Sequence, residues 1–240
     1  MAKLTDFKLL CFDIYGTLID WETGLLSALE PGLKTSGREN EFTKKQLLEI
    51  YHEFEAAQQT KSPDMTYSQL LTTIYPGLCD QLGLKTPTKE ESIKFGQSVG
   101  IWPAFPDTVD AIGRLGKHFK MVPLSNVDRE SFAVTNAGPL KGFKFDEVIT
   151  AQDIGSYKPN LRNFQYMLER VKQKFGLEKS DVLQTAQSQW HDHQPAKKAG
   201  IKSAWIVRPG AVMGNKGGEV YDWKFNTLGE MADAVEKEIL

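Results

Sequence analysis

Four short apolar runs in this chain each lead into polar residues able to do chemistry. Lys8 to Phe12 (KLLCF) ends at Asp13, and Lys120 to Leu124 (KMVPL) ends at Ser125-Asn126. Glu147 to Thr150 (EVIT) precedes a polar loop carrying Lys158-Pro159, and Val182 to Thr185 runs into the segment Gln187 to Asp192. A carboxylate nucleophile candidate, hydroxyl and amide donors, one lysine and a second carboxylate make a catalytic inventory, provided one scaffold brings them together.

The elements needed to do so are legible in the pattern. The apolar runs have the length and continuity of buried parallel strands. Helical periodicity follows them at Thr108 to Lys117, Arg129 to Val134, Asn163 to Phe175, Pro195 to Ala199 and Leu228 to Leu240. Between Trp21 and about Val99 the pattern is helical only, with Thr43 a cap and Pro63-Asp64 and Pro87 as punctuation. The expected fold is therefore α/β, a doubly wound parallel sheet (Rossmann-like core) with an all-helical cap inserted after the first strand. Residues 1–20 and 102–240 are expected to form the core and 21–101 the cap. In open parallel sheets ligands bind beyond the carboxyl ends of the strands, so the polar strand ends should share one rim.

Composition narrows the function. The 240 residues carry 29 Lys and Arg against 31 Asp and Glu, a net charge of −2 that offers no field for nucleic acid or an anionic membrane. No apolar run reaches the ~20 residues of a spanning helix. The N-terminal stretch lacks a signal-like apolar segment. Cys11 and Cys79 have no paired spacing for zinc or a disulfide framework, and Cys11 reads as core packing. The expectation is a cytoplasmic protein, monomer or homodimer, acting on a small-molecule substrate.

The stretches Asp13-Ile14-Tyr15-Gly16-Thr17-Leu18, Leu124-Ser125-Asn126, Tyr157-Lys158-Pro159 and Asp192 within HDHQPAKKAG, in this order, resemble the haloacid dehalogenase superfamily over essentially the whole chain. That resemblance implies a hydrolase in which Asp13 attacks an electrophilic centre and the resulting covalent intermediate is hydrolysed by water. It implies that Lys158 keeps Asp13 ionised. Thr17, Ser125 and Asn126 would orient Asp13 or hold a substrate carboxylate, and Asp192 would pair with Lys158 or polarise the hydrolytic water.

Departures from the family pattern divide its branches. Phosphatases of the superfamily have a second aspartate two residues after the nucleophile, where this chain has Tyr15, and an acidic residue five before the last aspartate, where it has Gln187. Their Mg²⁺ site is thereby incomplete, so no metal and no cofactor are expected. Tyr15 is similar to the L-2-haloacid dehalogenase branch, in which aspartate displaces halide from an sp³ carbon. Those enzymes carry a halide-cradling arginine in a cap helix. The corresponding segment, Gln46 to Tyr51, has none, and Arg38 is the only arginine between positions 21 and 101. Phe164 and His191 replace a tyrosine and a tryptophan of that branch.

Within the branch, FDIYGTLIDWETG, WPAFPDTVDAI, ITAQDIGSYKPN and HDHQPA are similar to the L-azetidine-2-carboxylate hydrolases. This implies opening of a strained cyclic amine to a 2-hydroxy-4-amino acid. A ring nitrogen must leave protonated, which gives His191 and His193 a reading as nearby acids unless the ring itself carries the proton. Tyr15, Trp21 and Gln187 complete the expected substrate contacts, Trp21 packing on the small ring. His52 and His118 are assigned no role. Lys172 to Lys174 and Lys197-Lys198 read as solvated helix faces, and the glycine-rich stretch Val212 to Gly218 as a mobile surface loop. L-2-haloacid dehalogenase and small-metabolite phosphatase remain the alternatives.

Overall fold

The structure, a computed structural model, describes residues 2–240, so position 1 of the expected core range lies outside the described residues. Strands β1 (Leu9–Phe12), β2 (Lys120–Ser125), β3 (Ile149–Thr150), β4 (Val182–Ala186), β5 (Lys202–Ile206) and β6 (Trp223–Phe225) form one sheet in the order β3-β2-β1-β4-β5-β6. Every neighbouring pair is parallel. β1 is the reason such a sheet must have two covered faces. Its four residues are all buried, with Leu10 and Phe12 in one core cluster and Leu9 and Cys11 in the other. Alternation with period two sends successive side chains to opposite faces, so a strand apolar at every position needs helices on both.

Those helices carry the complementary stripes. α5 (Thr108–Leu115) and α10 (Leu228–Ile239) cover one face with Ile112, Leu115, Met231 and Val235. α8 (Leu161–Phe175) and α9 (Gln194–Ala199) cover the other with Phe164, Met167, Val171 and Ala196. α6 (Arg129–Ala137) lies between β2 and β3 in the chain, and the single turn α7 (Ala151–Ile154) lies between β3 and α8. β6 and α7 are elements that the sequence pattern does not reveal.

Between β1 and α5 the chain forms α1 (Trp21–Thr35), α2 (Lys44–Lys61), α3 (Tyr67–Gln81) and α4 (Lys89–Gln97), with no strand in this stretch among the described residues. Three starts are fixed by side chains. Asp20 accepts from the Thr23 amide, and Thr43 with Gln46 and Thr88 with Glu91 form reciprocal capping boxes. The chain leaves and re-enters the sheet layer side by side: Asp20 N donates to Pro103 O at 2.8 Å, and Phe105 N donates to Leu18 O at 3.0 Å.

Gly24 of α1 lies against Trp102 on the returning segment. A Cβ at Gly24 would stand 2.3 Å from Trp102 Cγ, and Trp102 is buried and cannot swing aside. Gly24→Ala is therefore expected to lose about 1–3 kcal/mol of stability despite alanine's better helix propensity. Urea unfolding checks this, and an unchanged midpoint would mean the two segments separate freely.

The sheet order also fixes where a ligand can bind. From β1 the chain moves outward through β2 to β3, then crosses back to β4 on the other side of β1. The connections after β1 and β4 therefore diverge at the carboxyl edge and leave a crevice there.

Candidate active site

Asp13 is the first residue beyond β1, and its amide still donates to Thr185 O at 3.1 Å, so the sheet itself holds its backbone. The chain then closes a tight loop in which Ile14 O accepts from the amides of Thr17, Leu18 and Ile19. Gly16 turns that loop at φ +101°, a conformation that costs a residue with a side chain, and Trp21 packs 3.4 Å from where a Cβ would sit. Thr17 Oγ1 donates to Asp13 Oδ2 at 2.7 Å and accepts from the Gln187 amide at 2.9 Å. The buried Arg208, which sequence reasoning passed over, braces the loop from beneath through Nε to Thr17 O at 2.9 Å and Nη1 to Asp107 at 2.5 Å.

Lys158 joins the two carboxylates. Its Nζ donates to Asp13 Oδ1 at 2.9 Å and to Asp192 Oδ1 at 2.7 Å, and Gln184 Nε2 donates to the same Asp192 oxygen at 3.0 Å. All three charged groups are buried. Burial pulls the Lys158 ammonium down, but the charges of Asp13 and Asp192 more than offset this and leave it above its ordinary value. One ammonium cannot neutralise two carboxylates. The excess falls on Asp192, the more deeply buried, whose carboxyl is pushed up by burial and by Asp13 against the pull of Lys158. Asp192 Oδ2 and Ser125 Oγ are buried without a partner, and both residues line the cavity over Asp13. Such atoms are costly unless a bound molecule or water satisfies them.

Asn126 sits differently from the expectation. Its Oδ1 accepts from the Lys158 amide at 2.7 Å and its Nδ2 donates to the Lys158 carbonyl at 3.1 Å, so the amide clamps the lysine's backbone instead of orienting Asp13. Tyr15 turns its hydroxyl away to Thr135 Oγ1 at 2.7 Å and gives the cavity a ring edge-on to Trp102. Gln187 also faces the cavity, but its amide donates to Met213 O at 3.0 Å.

The two histidines separate. His191 lines the cavity, its Nδ1 paired with Ser188 Oγ at 3.2 Å. Burial and the nearby Lys158 charge push its ring down to about 4, so near pH 7 it is a neutral imidazole and not an imidazolium acid. His193 is not brought to the cavity. It is fully buried between Ser203 Oγ and Ala186 O, each at 2.9 Å, because the turn after Asp192 points it back at the sheet.

The cavity encloses about 120 Å³ and its upper wall comes from the inserted helices. His52, Glu55 and Gln59 of α2 line it with Tyr67 of α3. His52, assigned no role from sequence, therefore faces the site. These residues continue the face on which α2 buries Leu48 and Tyr51, and a polar continuation of an apolar helix face is the one sequence signal that could have found them. Trp21, Trp102 and Trp190 supply aromatic surface.

The stretch Val212 to Gly218 is not a free loop. The buried Glu22 carboxylate of α1 accepts from the amides of Val212 and Met213, each at 2.9 Å, and Lys44 of α2 pairs with it at 2.8 Å. Gly214 O accepts from the Gln189 amide at 2.9 Å. A Cβ at Gly214 would meet the Gln187 side chain at 2.5 Å, so glycine here permits close approach rather than motion. Met213, Gly214 and Lys216 then form part of the cavity wall.

A Mg²⁺ ion of the phosphatase kind does not fit these residues. The Lys158 ammonium already sits between Asp13 and Asp192, and the next carboxylate position is Tyr15. Among the described residues no group of three or more His, Cys, Asp or Glu is placed to hold a metal ion. None of the helices among them is long and apolar enough to cross a membrane.

A profile of haloacid dehalogenase-like hydrolases matches residues 7–200. The glyceraldehyde 3-phosphate phosphatase of Methanocaldococcus jannaschii is 32% identical over 92 residues, which is 38% of this chain and 38% of that one, so the matched segment spans well under half of the curated relative. Among solved structures, the defluorinating L-2-haloacid dehalogenase Rha0230 superposes with a TM-score of 0.78 at 16% identity over 98% of this chain and 99% of that one. The L-2-haloacid dehalogenase from Xanthobacter autotrophicus gives 0.77 at 18% identity over 96% and 98%. At such identity the likeness is one of fold.

Proposed function

The chain belongs to the haloacid dehalogenase-like hydrolase family, and from that premise we propose that it is a metal-independent hydrolase acting at an sp³ carbon of a small 2-substituted carboxylic acid, through a covalent ester on Asp13. The substrate we assign is L-azetidine-2-carboxylate. The observation that carries the reading is the pairing of Asp13 with Lys158 in a small cavity whose next carboxylate position is held by Tyr15, its hydroxyl turned away to Thr135. A carboxylate placed for attack lies there, while the position two residues on, which holds the phosphatases' acid, is a tyrosine.

One Asp13 oxygen attacks C2 of the protonated ring, the C2–N bond breaks, and its electron pair goes to the nitrogen, which departs as a neutral amine still tethered to the chain. Water then adds to the Asp13 carbonyl carbon, and cleavage returns the carboxylate and releases the 2-hydroxy-4-amino acid. Lys158 donates to one Asp13 oxygen, Thr17 holds the other, and Ser125 Oγ is free to donate to the substrate carboxylate. The ring nitrogen already carries its proton in the ammonium form, so its departure does not require an imidazolium at His191, which is neutral near pH 7. L-2-haloacids would take the same course with halide as the leaving group, yet Arg38 is paired with Glu41 and stacked on Phe42, outside the cavity wall.

The test is turnover of L-azetidine-2-carboxylate in H₂¹⁸O with EDTA, followed by the mass of the peptide carrying Asp13. Label in that peptide with EDTA-resistant product formation is expected. Product without label would make water the direct nucleophile. Absence of product, with halide released from L-2-haloacids or phosphate from esters only in Mg²⁺, would move the enzyme to one of the other two branches.

A further inference from the structure

We propose that Glu55 is a cation subsite that receives the protonated nitrogen of the substrate, making small cyclic amino acids with a secondary ammonium group the preferred ligands and 2-haloacids poor ones. The proposal rests on the reading of Asp13's cavity as the reaction site and adds the chemistry of its opposite wall.

Glu55 lies near the middle of α2, where the helix turns from packing to lining the cavity. Its side chain is only 15% exposed. Oε1 accepts from the Tyr67 hydroxyl and from Tyr51 at 3.3 Å, and Oε2 pairs with His52 Nδ1 at 3.2 Å. Burial pushes this carboxyl up, but the hydrogen bonds from His52 and Tyr67 more than offset it and leave it below the usual carboxylate range. A buried carboxylate on the cavity wall acts more strongly on a charge inside a small cavity than it would in water.

The charges around the cavity agree. Lys158 lies between Asp13 and Asp192, whereas Glu55 on the inserted helices has no lysine or arginine beside it among the described residues and is met only by His52 and the two tyrosine hydroxyls. His191 is neutral. The ammonium end of a zwitterionic cyclic amino acid can face Glu55 while its carboxylate lies at the Ser125 end, and the Trp21, Trp102 and Tyr67 rings lining the same cavity are suited to an ammonium-bearing ring. A departing halide would instead develop negative charge in a cavity walled by the Glu55 carboxylate. The inserted helices thus offer the leaving group a carboxylate and no arginine.

The experiment compares two unreactive ring acids by calorimetry on the wild-type protein: L-proline, an unstrained secondary ammonium, and cyclopentanecarboxylate, its uncharged-ring counterpart. L-Proline is expected to bind about tenfold or more tightly than cyclopentanecarboxylate, in line with a desolvated cation facing carboxylate and aromatic groups. In Glu55→Gln the two affinities should converge to within about twofold, with cyclopentanecarboxylate unchanged as proof that the cavity is intact. Glu55→Asp, which keeps the charge, should retain a preference for L-proline. No preference in wild type, an undiminished preference in Glu55→Gln, or binding of neither acid would overturn the subsite, and the wild-type comparison needs no variant to fold. If the preference behaves as expected while L-azetidine-2-carboxylate is not turned over, the subsite stands and the ring-opening reading falls. If turnover proceeds with equal kcat/KM in Glu55→Gln, the reverse holds.

Discussion

Lys158→Met is expected to destabilise the protein by about 3–5 kcal/mol near neutral pH and to abolish turnover, because it leaves two buried carboxylates facing each other without a counter-ion. Methionine matches the lysine stem in volume, so the loss is electrostatic and not a cavity. With the ammonium gone, burial and the Asp13 charge push the Asp192 carboxyl up unopposed by Lys158, so its folded pKa lies still further above that of the unfolded chain. The folded state then binds more protons than the unfolded one, so stability falls as pH rises through the carboxylate range and beyond. Urea unfolding should therefore find the variant more stable at pH 5 than at pH 8. Adding Asp192→Asn, which removes one of the stranded charges, should recover a good part of the loss. A cost below about 1 kcal/mol at pH 8 would mean that water reaches the site and screens the pair.

The strands around this ion cluster were legible because the signal for them is strong. A strand buried on both faces has to be apolar throughout, as Leu9 to Phe12 is, and the polar residue that ends each run stands out. The sheet order then brings Asp13, Ser125, Lys158 and Asp192 together, and the rim expected from the strand ends is where they lie. β6 escaped notice because Trp223 to Phe225 is a three-residue edge strand, half-buried with an exposed lysine at its centre, and has no apolar run to read.

What was hidden depends on where a side chain turns after its element has been placed. Asn126 and His193 are polar residues next to the site by sequence, yet one clamps the Lys158 backbone and the other is locked between Ser203 and Ala186. Val212 to Gly218 has the composition of a flexible loop, and residues distant in the chain pin it, among them the Glu22 carboxylate some 190 residues earlier and the Gln187 and Gln189 amides. Glu55 is legible only once the inserted helices are seen to face β1, since spacing on α2 tells which residues share a face and not what lies opposite. Long-range pairing of charges is the part of the site that periodicity does not carry.

Asp13→Asn is expected to lower kcat/KM by roughly 10⁴-fold or more while leaving the fold as stable as wild type or more so. An amide oxygen can still accept from Lys158 Nζ, at 2.9 Å in the native protein, so the lysine keeps its position. The Thr17 hydroxyl, which donates to Asp13 Oδ2, can turn to accept from the new NH₂ group. What disappears is one of two negative charges sharing one ammonium. Asp13 contributes to the upward shift of the Asp192 carboxyl, so removing it should bring Asp192 back toward its ordinary value and pair it one-to-one with Lys158. Sites that hold like charges together spend stability on reactivity, and neutralising one of them tends to return it. Steady-state kinetics and thermal unfolding of the same preparation check both halves. An inactive variant with an unchanged or higher Tm identifies Asp13 as a group needed for the reaction and not for folding. Retained activity would remove the covalent ester from the scheme, and a large loss of Tm would instead make Asp13 the keystone of the ion cluster.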